Sequence, residues 1–396
     1  MKNIRADPAM IYLDNNATTR VLESVEEAMR PFLTERFANP SSAIGQFLGL
    51  DRVIASEKAK IAELLGADGR EQLFITSGAT ESNNLAIAGA AKANPERRHL
   101  VVSATEHPSV LEVAGNLERT GYQVTIVAVD RDGLIDPDRV VSSLRPNTLL
   151  VSLMLANNET GVLQPVQEVA ERVKGADPSV VVHSDATQAA GKLAIDLGME
   201  LNAVDLLSFS AHKFHGPKGV GGLFVREARQ VGPLFYGGAQ QLGLRPGTEN
   251  PAAVVGMGAA LSAVSVRREE YRATAKLRDA AERQLLAACP RAFSLGGRAV
   301  RLPTTLCVCL PGFDADHLID QMAARGFAIS TGSACAHGAR KPSHVARAMG
   351  LSHDEAESCL RISLSLETTA RDMEAFVAAL IPLLRSAESL ATKAVV

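Results

Sequence analysis

The chain has 396 residues, 46% hydrophobic and 21% charged, with a formal net charge of −3 at pH 7. These values are typical of a globular protein with more than one domain, and they argue against a basic nucleic-acid-binding chain. The first ten residues lack the apolar stretch of a signal peptide, and five cysteines are an odd number for a disulfide framework. We therefore expect a cytoplasmic protein without membrane spans.

Helical and strand periodicities alternate from about residue 50 to residue 230. In chain order, they predict helices at 51–67 and 80–93 and strands at 72–76, 99–104, 122–129, 148–154 and 179–185. Because these strands are rich in Val, Ile and Leu on both faces, they predict a parallel sheet covered by helices, which is an α/β fold. Beyond residue 260, a long helix at 269–289, further short strands and a last amphipathic helix indicate a second, smaller α/β domain.

A polar residue follows several of these predicted strands. Thr80 comes after a glycine turn at a helix start, where free N–H groups favour an anion, although an ordinary helix cap is the alternative. Lys213 stands between two histidines ahead of a glycine-rich turn, and its amine could form a Schiff base with a carbonyl cofactor. Ser210 and His212 beside it could hold a phosphate. The alternative for Lys213 is a solvated surface lysine.

Asp185, His107 and Asn158 also follow predicted strands. Asp185 could pair with the protonated pyridine nitrogen of pyridoxal phosphate, or it could cap the next helix. His107 could stack on a flat ring or transfer protons. Ligands in open α/β sheets bind outside the carboxyl ends of the strands, so these residues, Thr80 and Lys213 predict one cleft.

The sequence resembles a known family, the cysteine desulfurases of the NifS-like group, which are fold-type I pyridoxal-phosphate enzymes of aminotransferase class V. The resemblance covers nearly the whole chain. It consists of motifs in the family's order: YLDNNATT (12–19), NPSS (39–42), TSGATESNN (76–84), TEHP (105–108), NNETG (157–161), HSDATQAAGK (183–192), SFSAHKFHGPKG (208–219), RPGTEN (245–250), STGSACAHG (330–338) and LRISLS (360–365). It implies a large cofactor-binding domain at 19–260, with a mostly parallel seven-stranded sheet, and a smaller α/β domain formed by 1–18 and 261–396.

The resemblance implies the chemistry of this cleft. Lys213 would form the Schiff base with pyridoxal 5'-phosphate, and His107 would stack on the ring. L-cysteine would lose its sulfur to Cys335, which would hold it as a persulfide, and alanine would leave. Within the same fold, the alternatives are a selenocysteine lyase or another β-eliminating C–S lyase, and also an aminotransferase. If the protein is not an enzyme, the alternative is a catalytically idle binding subunit.

The resemblance also implies partners and the remaining site residues. The partners would be a second copy of the chain in a homodimer and a sulfur acceptor, as in iron–sulfur cluster assembly. Asp185 would pair with the ring nitrogen and Gln188 with the ring hydroxyl, with Asn158 nearby. The cofactor phosphate would be bound by Ala79, Thr80, Ser210 and His212. Thr248 would contact the phosphate across the dimer interface. Asn39 and Arg361 would bind the substrate carboxylate.

Two of these assignments also follow from residue chemistry. The guanidinium of Arg361 matches a carboxylate with two parallel hydrogen bonds, although a surface arginine is the alternative. Cys335 lies among small residues in STGSACAHGARK (330–341), a composition typical of a loop in which a thiol can reach both a cofactor and an external acceptor. His107 and His337 are both candidates for the base that activates this thiol.

The sequence contains four other cysteines, and it departs from the family pattern at three places. The remaining thiols are predicted to be packed structural residues, and no metal site is expected; they are Cys289, Cys307, Cys309 and Cys359. The chain has Ile44 where the family has a histidine, QQLG at 240–243 where it has Gln-Glu-Arg-Gly, and Lys341 where it has an acid. These departures concern the dimer edge and the loop of Cys335.

Overall fold

A computed structural model of the chain describes residues 10–67, 73–332 and 342–393, with side chains to residue 385. The described strands are β1 Ile11–Tyr12, β2 Leu73–Thr76, β3 His99–Ser103, β4 Gln123–Val127, β5 Thr148–Ser152, β6 Val181–Asp185, β7 Leu206–Ser210, β8 Gly221–Val225, β9 Phe293–Ser294, β10 Thr305–Cys309, β11 Phe327–Ala328 and β12 Cys359–Ser363. The described helices are α1 Glu23–Met29, α2 Pro31–Thr34, α3 Ala43–Phe47, α4 Leu50–Leu64, α5 Ala79–Ala93, α6 Pro108–Arg119, α7 Pro137–Ser142, α8 Val166–Ala176, α9 Pro251–Ser265, α10 Arg268–Ala288, α11 Ala315–Ala323, α12 His344–Ala348, α13 His353–Glu357 and α14 Ala370–Lys393.

The central element is a seven-stranded sheet in the order β2-β8-β7-β6-β5-β3-β4. The pairs from β4 to β7 are parallel, and β8 is antiparallel to both of its neighbours. Six strands therefore share one direction, which confirms the predicted mostly parallel sheet of an α/β fold. Because the strands share a direction, their carboxyl ends meet at one edge.

Alternate residues of the central strands enter different cores, as expected for strands covered on both faces. Val182 and Leu207 belong to one apolar cluster, whereas their neighbours Val181 and Leu206 belong to another on the opposite face. The predicted helices at 51–67 and 80–93 are α4 and α5, which is confirmed within a few residues at each end. The helices on both faces thus hold the carboxyl edge of the sheet in a fixed position.

A third core joins the start of the described chain to its last third. It contains Leu13 and apolar residues between Ala281 and Leu384. The predicted helix at 269–289 is α10, and β10 pairs with β12 and β9 in a separate three-stranded sheet. β1 pairs with β11, so the first described residues pack with this later part of the chain. None of the described helices is both long and apolar enough to cross a bilayer.

Candidate active site

A cavity of about 900 Å³ lies where the carboxyl ends of the parallel strands meet. Asp185 and Ser210 are the last residues of β6 and β7, and the segments after β2, β3 and β5 supply further walls. The cavity is lined by ten of the predicted site residues: Ala79, Thr80, His107, Asn158, Asp185, Gln188, Ser210, His212, Lys213 and Arg361. The sheet therefore brings these residues to one place.

One end of the cavity is suited to an anion. Helix α5 begins there at Ala79, and its N-cap residue Gly78 supplies no side-chain hydrogen bond to the free N–H groups. Thr80 is exposed at this helix start, and Ser210 faces Gly78 closely enough that a Cβ on the glycine would lie 3.5 Å from its hydroxyl. Backbone N–H groups, two hydroxyls and the helix dipole together favour a phosphate.

Asp185 is buried, and its carboxylate is held in one orientation. Its Oδ1 accepts a hydrogen bond from the Thr187 backbone N–H at 2.9 Å, and its Oδ2 accepts one from the Asn83 side chain at 2.8 Å. Asn83 also donates to the Ser109 hydroxyl at 2.8 Å. A carboxylate fixed in this way can pair with a cationic ring nitrogen in the cavity.

His107 is the N-cap of α6, and its ring is fixed by the same network. Its Nδ1 accepts from the Ser109 backbone N–H at 3.1 Å, so the proton of the neutral ring is on Nε2. Burial is the main cause that lowers the pKa of His107, while Asp185 opposes this shift and Lys213 adds to it. A neutral imidazole at physiological pH is suited to stacking on a flat ring.

The Lys213 amine points into the N-terminal segment of the chain. Its Nζ donates to the backbone carbonyls of Asn16 and Ala17 at 2.5 and 2.8 Å. Asn16 is 1% exposed, and its carbonyl also accepts from Gln188 Nε2 at 2.9 Å. Its side chain donates to the Asn158 carbonyl at 3.1 Å. Asn16 thus links three predicted site residues, a role that its place in the motif YLDNNATT does not reveal by itself.

Arg361 is buried in β12, so the surface alternative is wrong for this residue. Its NH2 group pairs with Asp14 Oδ1 at 2.6 Å, and NH1 donates to the Asn158 carbonyl at 3.2 Å. Its Nε is buried and has no hydrogen-bond partner among the described residues. This guanidinium is therefore held in place at the cavity wall with donor capacity left for a ligand.

Glu159 and His344 also line the cavity, Glu106 contacts the lining residue Met154, and the sequence did not predict a role for any of the three. Glu159 accepts a short hydrogen bond from the Ser343 hydroxyl, and Glu106 Oε1 accepts from the Met154 backbone N–H at 2.6 Å. Burial raises the pKa of Glu159, and it raises the pKa of Glu106 to about 8. His344 Nε2 donates to the Glu106 carbonyl at 2.9 Å and lines the cavity. The signal that could have found the acids is their place in the motifs TEHP and NNETG.

Two described residues that the sequence predicts at the site do not line this cavity. Asn39 is exposed and its side chain accepts from the Ser41 N–H at 3.0 Å, and Thr248 is exposed beyond the cavity wall. Thr248 follows Arg245, which pairs with Glu81 in the first turn of α5 at 2.8 Å. Cys335, together with His337, lies outside the described residues.

The four described cysteines are buried, as predicted. Cys307 and Cys309 are on the same face of β10, and Cys309 lies opposite Cys359 in the neighbouring strand β12. Cys289 belongs to the core that contains Leu13. Their burial is consistent with packing.

The comparisons with known proteins agree over nearly the whole chain. Residues 11–376 match the family described as aminotransferase class-V. A curated protein of Cereibacter sphaeroides named cysteine desulfurase is 42% identical over 96% of this chain and 97% of its own. A solved structure titled NIFS-LIKE PROTEIN has a TM-score of 0.88 and 34% identity, covering 95% of this chain and 99% of that one. Another, titled SspA in complex with cysteine, has a TM-score of 0.79 and 36% identity, covering 90% and 99%.

Proposed function

The chain belongs to the aminotransferase class-V family and is a cysteine desulfurase, and on this premise we propose which of its residues perform each part of the reaction. The observation that supports the assignment is the convergence of Lys213, Asp185 and His107 on one cavity at the carboxyl edge of the sheet. No single strand could bring a primary amine, a fixed carboxylate and a neutral imidazole together. This set is suited to the reactions of an amino acid bound to a carbonyl cofactor.

We propose pyridoxal 5'-phosphate as that cofactor, because the residues present fit each of its groups. The open N-terminus of α5 and the Ser210 hydroxyl suit the phosphate, and the fixed carboxylate of Asp185 suits a protonated pyridine nitrogen. The neutral ring of His107 suits the flat face. His212, whose pKa burial lowers to about 4, is a neutral partner beside the phosphate end. When bound, the cofactor supplies an electron sink for the negative charge that develops at the substrate Cα.

The residues of this chain then have separate tasks. Lys213 would hold the cofactor as the Schiff-base lysine, and its free amine would take the proton from the substrate Cα. Arg361 binds the substrate carboxylate through the donor capacity that Asp14 and Asn158 leave, and Asn39 is proposed to assist it. The carboxylate of Asp185, held by Thr187 and Asn83, would face the ring nitrogen and maintain the electron-withdrawing state.

Cys335 is proposed as the sulfur acceptor. Its thiolate attacks the substrate sulfur, so that an S–S bond forms as the substrate C–S bond breaks. The electron pair of the C–S bond stays with Cβ, which takes a proton, and Cα recovers the proton that Lys213 removed, so that alanine leaves. The product is a persulfide on Cys335, from which a protein or small thiol takes the sulfur. Four buried thiols elsewhere fit our proposal of a reducing, cytoplasmic setting.

We also propose a homodimer and a two-domain organisation. Thr248 is exposed, yet its segment is tied through Arg245 to the first turn of α5, where we place the phosphate. This position favours a contact with the site of a second copy. The core that joins Leu13 to the last third of the chain supports a small domain of 1–18 and 261–396 beside a large domain of 19–260.

The test is an alanine-release assay on the purified protein with L-cysteine and L-selenocysteine, with and without a thiol reductant. Borohydride treatment should fix the cofactor on Lys213, and a label on Lys218 instead would contradict the site. Cys335→Ser should still bind cysteine and lose most alanine production. Brief exposure of the wild type to cysteine should add one sulfur to Cys335 by mass spectrometry. If Cys335→Ser turns over cysteine normally, direct β-elimination becomes the better function.

A further inference from the structure

A second lysine lies beside the proposed cofactor site, and this one is buried. Lys192 is 2% exposed, and its Nζ donates to Gln188 Oε1 at 3.0 Å and to Asn16 Oδ1 at 3.4 Å. Both acceptors are neutral amide oxygens. Within the described ranges, Lys192 forms no ion pair with a carboxylate. It is therefore a buried amine without a carboxylate partner among the described residues, in contact with Gln188 and Asn16, which line the cavity.

The surroundings of Lys192 favour the uncharged amine. Burial, followed by the positive charges of Lys213 and Arg361, lowers the pKa of Lys192 to about 7. The charge of Lys192 in turn adds to the effects that lower the pKa of His212 and of His215. A neutral amine has two N–H groups, which match the two acceptors, whereas an ammonium would bury a third donor that has no acceptor.

These contacts fix the orientation of the Gln188 amide. Its Nε2 faces the Asn16 backbone carbonyl, which can only accept, so the nitrogen must be on that side. Its Oε1 then faces Lys192, which donates. The amide thus uses its oxygen on Lys192 and one N–H on Asn16, and it keeps its second N–H. Since Gln188 lines the cavity, the group that it can offer to a ligand is a donor.

We infer that Lys192 is a positioning residue: it engages the oxygen of Gln188 so that this amide meets the bound cofactor only as a hydrogen-bond donor. The inference rests on the proposed cofactor. A donor at this place favours the ionised form of the ring hydroxyl over the neutral form. Because burial lowers the pKa of Lys192 to about 7, its positive charge is partly lost near neutral pH, which reduces repulsion with Lys213.

The first test is a double-mutant cycle on pyridoxal 5'-phosphate binding by the full-length apoprotein. Lys192→Met should weaken binding about fivefold, the typical value of one hydrogen bond. When Gln188→Ala is already present, Lys192→Met should add less than about a twofold loss, because a positioning residue acts through its partner. If the losses of affinity from Lys192→Met and Gln188→Ala multiply in the double variant, the inference is wrong. Unchanged binding in Lys192→Met would also overturn it.

The second test is spectroscopic and separates positioning from a merely structural role. The visible absorption of the cofactor-loaded wild type should show a transition near pH 7 from the titration of Lys192. Lys192→Met and Lys192→Gln should lack this transition, whereas Lys174→Met should keep it, because Lys174 pairs with Asp205 away from the cavity. A transition that persists in Lys192→Met would contradict the inference.

Two controls keep the outcomes distinct. Lys192→Gln retains an N–H donor for Gln188, so it should bind the cofactor better than Lys192→Met. If Lys192→Met does not fold, Lys192→Gln replaces it in the cycle. If the wild type itself does not bind pyridoxal 5'-phosphate, the proposed function fails. If the wild type binds it and only the cycle is additive, the role of Lys192 alone is wrong.

Discussion

Arg361 and Asp14 form an ion pair that is almost closed off from water, with side chains 3% and 18% exposed. The guanidinium is available to a substrate carboxylate because Asp14 and the Asn158 carbonyl hold it at the cavity wall. A buried charge that loses its partner is costly, since the desolvation penalty remains without compensation. The pair thus links the stability of the protein to its proposed substrate site.

We expect Asp14→Asn to lower the free energy of unfolding by about 3 kcal/mol, the usual cost of leaving one member of a buried ion pair alone. The control is Glu367→Gln, which removes a partner of Arg20 at the surface, where the two side chains are 39% and 78% exposed. That change should cost less than about 1 kcal/mol. Urea unfolding of both variants measures the difference, and equal effects would contradict the prediction.

Glu106 makes the stability depend on pH. Burial raises its pKa from 4.5 to about 8 in the folded protein, so the folded state binds the proton more tightly than the unfolded chain does. The stabilisation from this proton is complete below pH 4.5 and is lost as the pH rises to about 8. We expect the wild type to lose more stability between pH 5.5 and 8.5 than Glu106→Gln, by roughly 2 kcal/mol or more. Parallel curves from urea unfolding at the two pH values would show that Glu106 does not titrate in this range.

At the scale of elements, one side chain joins two parts of the chain that flank 333–341. Glu159 accepts from the Ser343 hydroxyl, and Gly332 lies so close that a Cβ there would be 2.3 Å from Glu159 Oε2. Ser343 is also the N-cap of α12. The acid therefore packs between residues 332 and 343, and it leaves no room for a side chain at Gly332.

Gly332→Ala should destabilise the protein by about 1–3 kcal/mol, because the added methyl must displace a buried carboxylate. Gly175→Ala in α8 is the matched control, since no heavy atom lies within 4 Å of its added Cβ. This control should be neutral or stabilising by up to about 1 kcal/mol. The loss in Gly332→Ala should shrink when Glu159→Ala is present, and thermal unfolding of the three variants and the double variant tests this. An undiminished loss would place the strain elsewhere.

At the scale of the whole molecule, the proposed homodimer distributes each site over two chains. Lys213 lines the cavity of its own chain, whereas Thr248 is exposed and is assigned to the phosphate of the partner. This arrangement has a consequence for mixed dimers. A dimer of one Lys213→Ala chain and one Thr248→Ala chain contains one site with both defects and one site with neither.

Co-expression of these two variants should therefore restore up to about half of the wild-type alanine release per mixed dimer, although Lys213→Ala alone is inactive and Thr248→Ala alone retains its cofactor poorly. Sedimentation gives the oligomeric state, and two affinity tags allow the mixed dimer to be isolated. Two Lys213→Ala chains with different tags form the control and should remain inactive. A mixed dimer no more active than Thr248→Ala would contradict the shared site, as would an active monomer.

Most of the fold and eight of the ten predicted residues that line the cavity follow from sequence patterns and residue chemistry, whereas Ala79 and Gln188 were implied by the family resemblance. Strand periodicity places Asp185 and Ser210 at strand ends, and a parallel sheet must bring such ends together. Asn16 could not be found in this way, since its role depends on the packing of one asparagine against distant backbone carbonyls. The raised pKa of Glu106 likewise depends on burial, which no spacing in TEHP reveals.

The position of Asn16 determines when, during synthesis, the chain becomes able to bind the proposed cofactor. Its hydrogen-bond partners lie between 142 and 347 residues further along the chain, the last being Ser363. The walls from the central sheet can form earlier, but the network around Lys213 closes only after Ser363 has left the ribosome. Such distant contacts form late. Ribosome-bound chains stalled before Ser363 has emerged should therefore capture pyridoxal 5'-phosphate poorly, whereas released chains bind it. This result would mean that the proposed cofactor stabilises the complete fold and does not start its formation.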